Sequence, residues 1–376
     1  MTELKEICKV QCGFAFDSKK FTEDDSFSPL IRIRDVKRGF TQTYYAGEFS
    51  SEYIIHKGDL LVGMDGEFNI ARWNSEDALL NQRVCRIIAN SNVNEEYLRF
   101  YLKRALKLIE SKTSFVTVKH LSAKELNGLK LNLPCMEDQQ CISKQLSILE
   151  LVIRKNKKVL ELFDELVKAR FMEMFGDPVL NEKSWRVIKL GELCSKICSG
   201  NTPKGGSDNY TKEGIMFFRS QNVWKNRLEL DDIVYIDEAT HEKMKETSLN
   251  YGDILITKTG RINTENSSLG RSALFLGKND SANINGHVYL VRINSELVNR
   301  HFVLQILISP QYRDLIRRVC VGGIDKRQLN QNHIYDFPII IPPLELQNQF
   351  ASFVEEIDKS RLLSNHSLFL IKSIIF

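Results

Sequence analysis

The sequence predicts an α+β fold in which two similar α/β domains are separated by two long antiparallel coiled-coil helices. Three observations carry that expectation. The first half of the chain can be laid over the second by collinear matches, an unbroken heptad stripe follows the first copy, and a shorter stripe follows the second.

The duplication rests on six matches in one order. LKEIC at 4–8 matches LGELC at 190–194, each with a further cysteine four residues on, Cys12 and Cys198. Arg32 to Val36 matches Arg219 to Val223, and GDLLVGMDG at 58–66 matches GDILITKTG at 252–260. Ile70-Ala71-Arg72 is laid on Leu269-Gly270-Arg271, which gives the second copy five extra residues at that point. Asn81 then matches Asn285, and KELNGLKLNLPCMEDQQ at 124–140 matches NHIYDFPIIIPPLELQN at 332–348. The offsets grow from 186 to 208 and never reverse.

Each copy reads as short strands followed by a helix. The Gly-Asp pairs at 58–59 and 252–253 predict turns launching buried strands, because Gly tolerates positive φ and Asp bonds nearby backbone. The segment 94–110 is helical in pattern, and 299–319 is its counterpart, interrupted near Pro310.

Ile142, Leu146, Leu149, Ile153, Asn156, Leu160, Phe163 and Val167 recur at 4 and 3 in strict alternation, the seam of a coiled coil with one polar position, Asn156, expected to be buried and to fix register. The helix is expected from about Glu137 to Phe175, where Gly176-Asp177-Pro178 ends it. After the second copy, Phe350, Val354 and Ile357 restart the stripe, which lapses at Arg361 and Ser364 and resumes with Leu368 and Ile371. Pairing the two helices antiparallel places the globular copies at opposite ends of a spacer. The clean seam spans about 39 Å, or roughly 11 base pairs.

Composition sets the class. The chain has 376 residues, 43% hydrophobic and 27% charged, with 8 Pro and 20 Gly, enough for two or three globular domains and unlike a disordered chain. No apolar run has the length of a membrane span and the N-terminus lacks a signal-peptide layout, so a cytoplasmic protein without a membrane partner is expected. Eight dispersed cysteines then read as reduced, mostly buried thiols.

Catalytic motifs are sought and not found. There is no GxGxxG, no phosphate loop and no HExxH pair, and the Cys-x3-Cys pairs lack companion ligands, so neither a metal nor a cofactor is expected in this chain. Ile341-Pro342-Pro343-Leu344 has the prolines of an amino-methyltransferase tetrad without its amide or carboxylate.

Two similar modules on a spacer suit a reader of two separated sites on one long ligand, and double-stranded DNA is that ligand. In the first copy Lys19, Arg32, Arg34, Lys37, Arg38, Lys119 and His120 fall in or near connections. In the second, Lys204, Arg219, Lys258, Arg261, Lys326 and Arg327 do so, mixed with Gln221, Asn222, Asn263 and Gln328. Lys and Arg neutralise phosphates, whereas Arg on guanine and Asn or Gln on adenine discriminate bases. Residue by residue, a solvated surface is the competing explanation.

The order LxEL/IC, RxQNV-like strand, GD(I/L)L, Pro-Pro-Leu-Glu-Leu-Gln, long helix, Met-Phe-Gly-Asp-Pro and a second round resembles the specificity subunit of type I restriction-modification systems over nearly the whole chain. The resemblance implies target-recognition domains at 1–136 and 183–343, and spacer helices at 137–176 and 344–376. Pro342, Pro343, Leu344, Glu345 and Gln347 match the segment opening the second spacer. The first copy departs there, with Cys135 for the second proline and Asp138 for the second leucine. The second helix is shorter, 32 residues against 39, so a last turn is expected to be unpaired.

The resemblance further implies that each recognition domain reads one half of a bipartite DNA site. The helices dock methyltransferase subunits, two per chain, and a restriction or translocase subunit joins where present. S-adenosylmethionine, ATP and Mg2+ then belong to those partners, and this chain performs no chemistry. A stand-alone bipartite DNA-binding regulator and a nuclease with an unrecognised motif are the rival readings.

Overall fold

The computed structural model describes residues 1–112, 121–203, 205–262, 264, 266–323 and 326–375. The chain divides into two compact units, Met1–Asn156 with Ser367–Phe376, and Lys157–His366. The first long helix, Met136–Phe175, contributes to both units, as does the second, Leu344–Ile375.

In the first unit an antiparallel sheet runs in the order Cys8–Cys12, Val84–Ala89, Leu60–Gly63, Asn69–Arg72. Leu60, Val62, Cys85 and Ile87 pack from this sheet against Leu98, Leu102 and Leu106 of the helix Glu95–Lys112. Gly58 has φ +101°, the left-handed turn that suits glycine. Asp59 accepts the His56 N–H at 2.9 Å and pairs with Arg86 at 3.0 Å, so one carboxylate closes the turn and answers a part-buried cation on the neighbouring strand. A second sheet, of five short strands, contains a parallel pair, Ser28–Ile31 with Ala78–Leu80.

The second unit repeats this plan. Its sheet runs Cys194–Ser199, Val288–Ile293, Ile254–Thr257, Ser272–Leu274, and its parallel pair is Ile215–Phe218 with Ala282–Ile284. Gly252 has φ +89°, Asp253 accepts the Asn250 N–H at 2.7 Å, and Arg292 pairs with Asp253 at 2.8 Å. The predicted break in the following helix is present: Arg300–Ile308 stops at Ser309, whose hydroxyl accepts from the Tyr312 N–H to cap Pro310–Val319.

Strand register corrects one of the sequence matches. Leu60 faces Arg72, whereas Ile254 faces Leu274, so Ile70-Ala71-Arg72 corresponds to Ser272-Ala273-Leu274 and Asn69 to Arg271. Trp73 and Phe275 confirm this, each carbonyl accepting from the glycine of the Gly-Asp turn at 2.8 Å. Thirteen residues (258–270) thus join strands that five (64–68) join in the first unit, a gain of eight instead of five. The three-residue IAR/LGR similarity misled because register is set by the partner strand.

Within the second unit the long helices pair antiparallel. Phe171 and Phe175 lie 5.5 and 5.7 Å from Phe350 between ring centroids, Phe302 stacks on Phe171 at 5.6 Å, and Asp164 binds Arg361 at 2.7 Å. Arg361, where the apolar stripe lapses, therefore reaches an acid on the facing helix.

Val167, Phe350, Val354, Ile357 and Leu368 are buried, while Leu146, Leu149, Ile153, Leu160, Phe163 and Ile371 are half-buried. Asn156 is half-buried, not buried as expected. Ile142 is exposed, because the first turns instead turn Gln139 and Ser143 inward, where Gln139 is held by backbone hydrogen bonds. The thiols are not mostly buried either: Cys8, Cys85 and Cys320 are buried, whereas Cys12, Cys135 and Cys141 are exposed. No helix among the described residues is long and apolar enough to cross a membrane.

Candidate nucleic-acid interface

The two units present their candidate residues from matched frames. In the first, the Arg32 N–H donates to Asp35 Oδ2 at 2.9 Å, capping the helix Ile33–Arg38; in the second, the Arg219 N–H donates to Asn222 Oδ1 at 2.9 Å. Asp35 and Asn222 are almost fully buried. Asn222 is thereby corrected from base reader to scaffold: its amide also donates to the Glu229 carbonyl at 3.1 Å, leaving no free edge for a base.

Beyond the cap in the first unit, Arg32 and Arg34 line an open cleft with Gln42, Thr43 and Tyr44, and Glu23 and Asp25 share the lining. Arg34 lies 3.7 Å from Asp35, and Lys37 is spent on Glu67 at 3.1 Å. Arg38 and Lys19 are exposed, the latter in a single turn that Asp17 caps. Lys119 and His120 lie outside the described residues, as do Lys204 and Asn263 of the second copy.

In the second unit the longer connection contributes to a further surface. Thr259–Gly260 pairs antiparallel with Lys326–Gln328, which pairs in turn with Val321–Gly323. Two segments far apart in sequence thus bring Arg261, Lys326, Arg327 and Gln328 together, with Arg327 opposite Gly260 and Gln328 opposite Thr259. Lys326 and Gln328 are exposed; Arg327 is half-buried and donates to the Cys320 carbonyl at 3.2 Å. Lys258 anchors the sheet edge, its carbonyl accepting the Leu329 N–H and its ammonium 5.6 Å over the Tyr289 ring.

On the other side, exposed Gln221 donates to Asp232 at 2.6 Å. That bond and the adjacent Arg219 guanidinium, 3.1 Å away, hold the Asp232 carboxyl below its usual range. Arg219 is mostly covered, so it serves this loop more than a ligand.

Sequence reasoning missed a second group of cations. Lys225, Arg271, Arg313 and Arg317 line one concave surface with Trp224, and Arg227 lies 5.4 Å over the same indole. No local signal marks them, because they come from three separate segments. His241, Glu242 and Asp280 also approach one another, but Lys245 already bridges the two carboxylates, at 2.7 and 2.5 Å.

Comparison with known proteins places this architecture. The family described as type I restriction modification DNA specificity domain matches residues 1–162 and 182–371. The EcoBI specificity subunit of Escherichia coli is 27% identical over 383 residues, covering 94% of this chain and 78% of its own length. The MjaVIII specificity subunit of Methanocaldococcus jannaschii is 21% identical, covering 89% and 80%. In fold, the chain is similar to the S subunit of a type I restriction-modification system from M. genitalium, with a TM-score of 0.59 at 14% identity, covering 100% of this chain and 93% of that one. The repeated sheet, the paired helices and the twofold family match give one conclusion: the chain belongs to the type I restriction-modification DNA specificity family and is a DNA sequence-specificity subunit with two recognition domains.

Proposed function

We propose that each unit reads one half of a bipartite duplex site and that the long helices dock methyltransferase subunits, two per chain, which carry out the chemistry. The observation that supports this reading is a shared frame holding unlike loops. The same sheet order and helix anchors recur, while the five-residue connection 64–68 of one unit answers to the thirteen-residue connection 258–270, with Arg261, in the other. Different loops on one frame are what two different half-sites require. Lys19, Arg38, Lys258 and Arg261 supply further phosphate contacts, and Gln221 and Gln328 are the amides available to bases.

Docking is assigned to the faces of the helices turned away from the seam. In the second unit Leu162 and Leu166 of the first long helix, and Leu362 and Leu363 of the second, are exposed. Apolar rows of this kind mark protein partners. S-adenosylmethionine is then bound by the methyltransferase, and ATP and Mg2+ by a restriction subunit where one joins.

The test is co-expression with the methyltransferase encoded alongside, followed by mapping of modified bases in a genome that otherwise lacks them. A methylated motif of two parts with a fixed gap is expected, and exchange of 183–343 for the same region of another member changes one part only. A contiguous motif, or a change in both parts, contradicts the two-reader assignment. Magnesium-dependent cleavage by the isolated chain contradicts the non-catalytic one.

A further inference from the structure

The part-buried arginines of the first unit are answered by carboxylates. Arg72 binds Glu95 and Glu96, Arg86 binds Asp59, and Arg99 binds Glu96 and Glu150, at 2.5 to 3.0 Å. The second unit departs from this habit where Lys225, Arg271 and Arg313 line one recess. Among the described residues, no carboxylate pairs with Lys225, Arg271 or Arg313; Asp314 is taken by Arg317 at 2.9 Å and Glu229 by Arg227 at 2.6 Å.

The two arginines are held in place. The Arg271 guanidinium lies 3.8 Å over the Trp224 ring and its Nε donates to the Ser267 carbonyl at 3.1 Å. Stacking fixes the plane of the fork. Arg313 reaches the Leu269 carbonyl, and burial with Arg317 and Arg271 nearby pushes its pKa down to about 10. Partial desolvation of its ammonium, then Lys168 and Arg313, lowers the Lys225 pKa against the pull of Asp164. Asp164 near Lys225 and Asp314 near Arg313 offset the crowding only in part, since both pKa values stay lowered, and the remaining cost is relieved when an anion arrives.

Two further features say which anion. Pro310, at the start of the helix Pro310–Val319, lines the same recess, adding the N-terminal end of a helix dipole. Asn266, Ser267 and Arg271 also line the adjoining cleft that holds Arg261 and Lys326, so the recess continues the candidate reading surface. Asn69 stands where Arg271 does, so the first unit does not duplicate the site.

We propose that Lys225, Arg271 and Arg313 form a phosphodiester clamp that grips the DNA backbone beside the half-site read by the second unit, without regard to sequence. The proposal rests on the DNA-reading assignment above, and it explains affinity and register where that assignment explains specificity.

The test uses the complex with its methyltransferase and labelled short duplexes with and without the methylated motif, titrated by fluorescence anisotropy across roughly 50 to 200 mM KCl. Lys225→Gln and Arg271→Gln are each expected to make the slope of log affinity against log salt shallower by about one, and the double variant by about two. The loss of affinity should be the same factor on both duplexes, the methylated motif should be unchanged, and Arg271→Lys should largely restore the slope. Lys225 is exposed at a turn, so its variant keeps the test open if Arg271→Gln misfolds. An unchanged slope in Lys225→Gln and the double variant overturns the clamp, as does a defect confined to methyltransferase association. Failure of the wild-type complex to discriminate the duplexes would instead defeat the reading assignment, with the slope still reporting on the clamp.

Discussion

Gln139 and Gln347 make the same pair of hydrogen bonds in different units. Gln139 accepts the Asn94 N–H at 2.8 Å and donates to the Pro134 carbonyl at 2.9 Å; Gln347 accepts the Asn299 N–H at 2.9 Å and donates to the Pro342 carbonyl at 2.8 Å. Both side chains are buried. Each carboxamide ties the first turn of a long helix to the residue before a domain helix, so the angle at which spacer leaves domain is fixed by a neutral group that uses both its ends.

Replacing either glutamine with alanine leaves a part-buried N–H and a backbone carbonyl without their partner. Gln139→Ala and Gln347→Ala are each expected to cost about 1–3 kcal/mol, read from urea unfolding. Equal midpoints for variants and parent would show that the bonds are incidental.

Asn222 and Gln221 are neighbours with opposite expectations. Asn222→Ala removes a buried cap and should lower stability by about 1–2 kcal/mol while leaving the methylated motif intact. Gln221→Ala should leave the thermal midpoint near that of the parent and relax one position of the motif. The reverse pattern would restore Asn222 to the reading surface.

Phe171 is surrounded by Phe175, Phe302 and Phe350, all nearly inaccessible. Truncation to alanine opens a cavity where helix meets helix and should cost about 3–5 kcal/mol by chemical denaturation. A loss below about 1 kcal/mol would mean that the site collapses around the missing ring.

His301 is buried beside Glu355 at 3.7 Å, and burial, followed by the Arg300 charge, lowers its pKa despite that carboxylate. The folded state therefore resists protonating it. Stability is fully present above the unfolded value of 6.5 and falls as pH drops through the lower folded value. His301→Gln should flatten the stability profile below neutrality, measured by denaturation at stepped pH; an unchanged slope assigns the acid sensitivity to other groups.

The local features were legible in sequence. Gly-Asp turns, the Pro310 break and the limits of both long helices depend on neighbours along the chain, and they lie where spacing and turn chemistry place them. Strand register was not, because Arg271 and Asn69 are equated by partners that no three-residue similarity reports. Residue type also says nothing about burial, so Asn222 and Gln221 looked alike. The cation recess escaped because Arg271 and Arg313 are 42 positions apart, and Trp224 and Lys225 farther still.

The eight added residues of the second unit emerge between positions 257 and 271, which are locked together by backbone hydrogen bonds at their base. Lengthening a closed loop from five to thirteen residues costs only about 0.8 kcal/mol of closure entropy. The chain can therefore exchange what it recognises at a thermodynamic cost about equal to that of losing one buried methylene, and the frame beneath is blind to the exchange. Vocabulary and grammar are separated in this molecule: the loops can be rewritten repeatedly while Gln139, Gln347 and the paired helices keep the syntax.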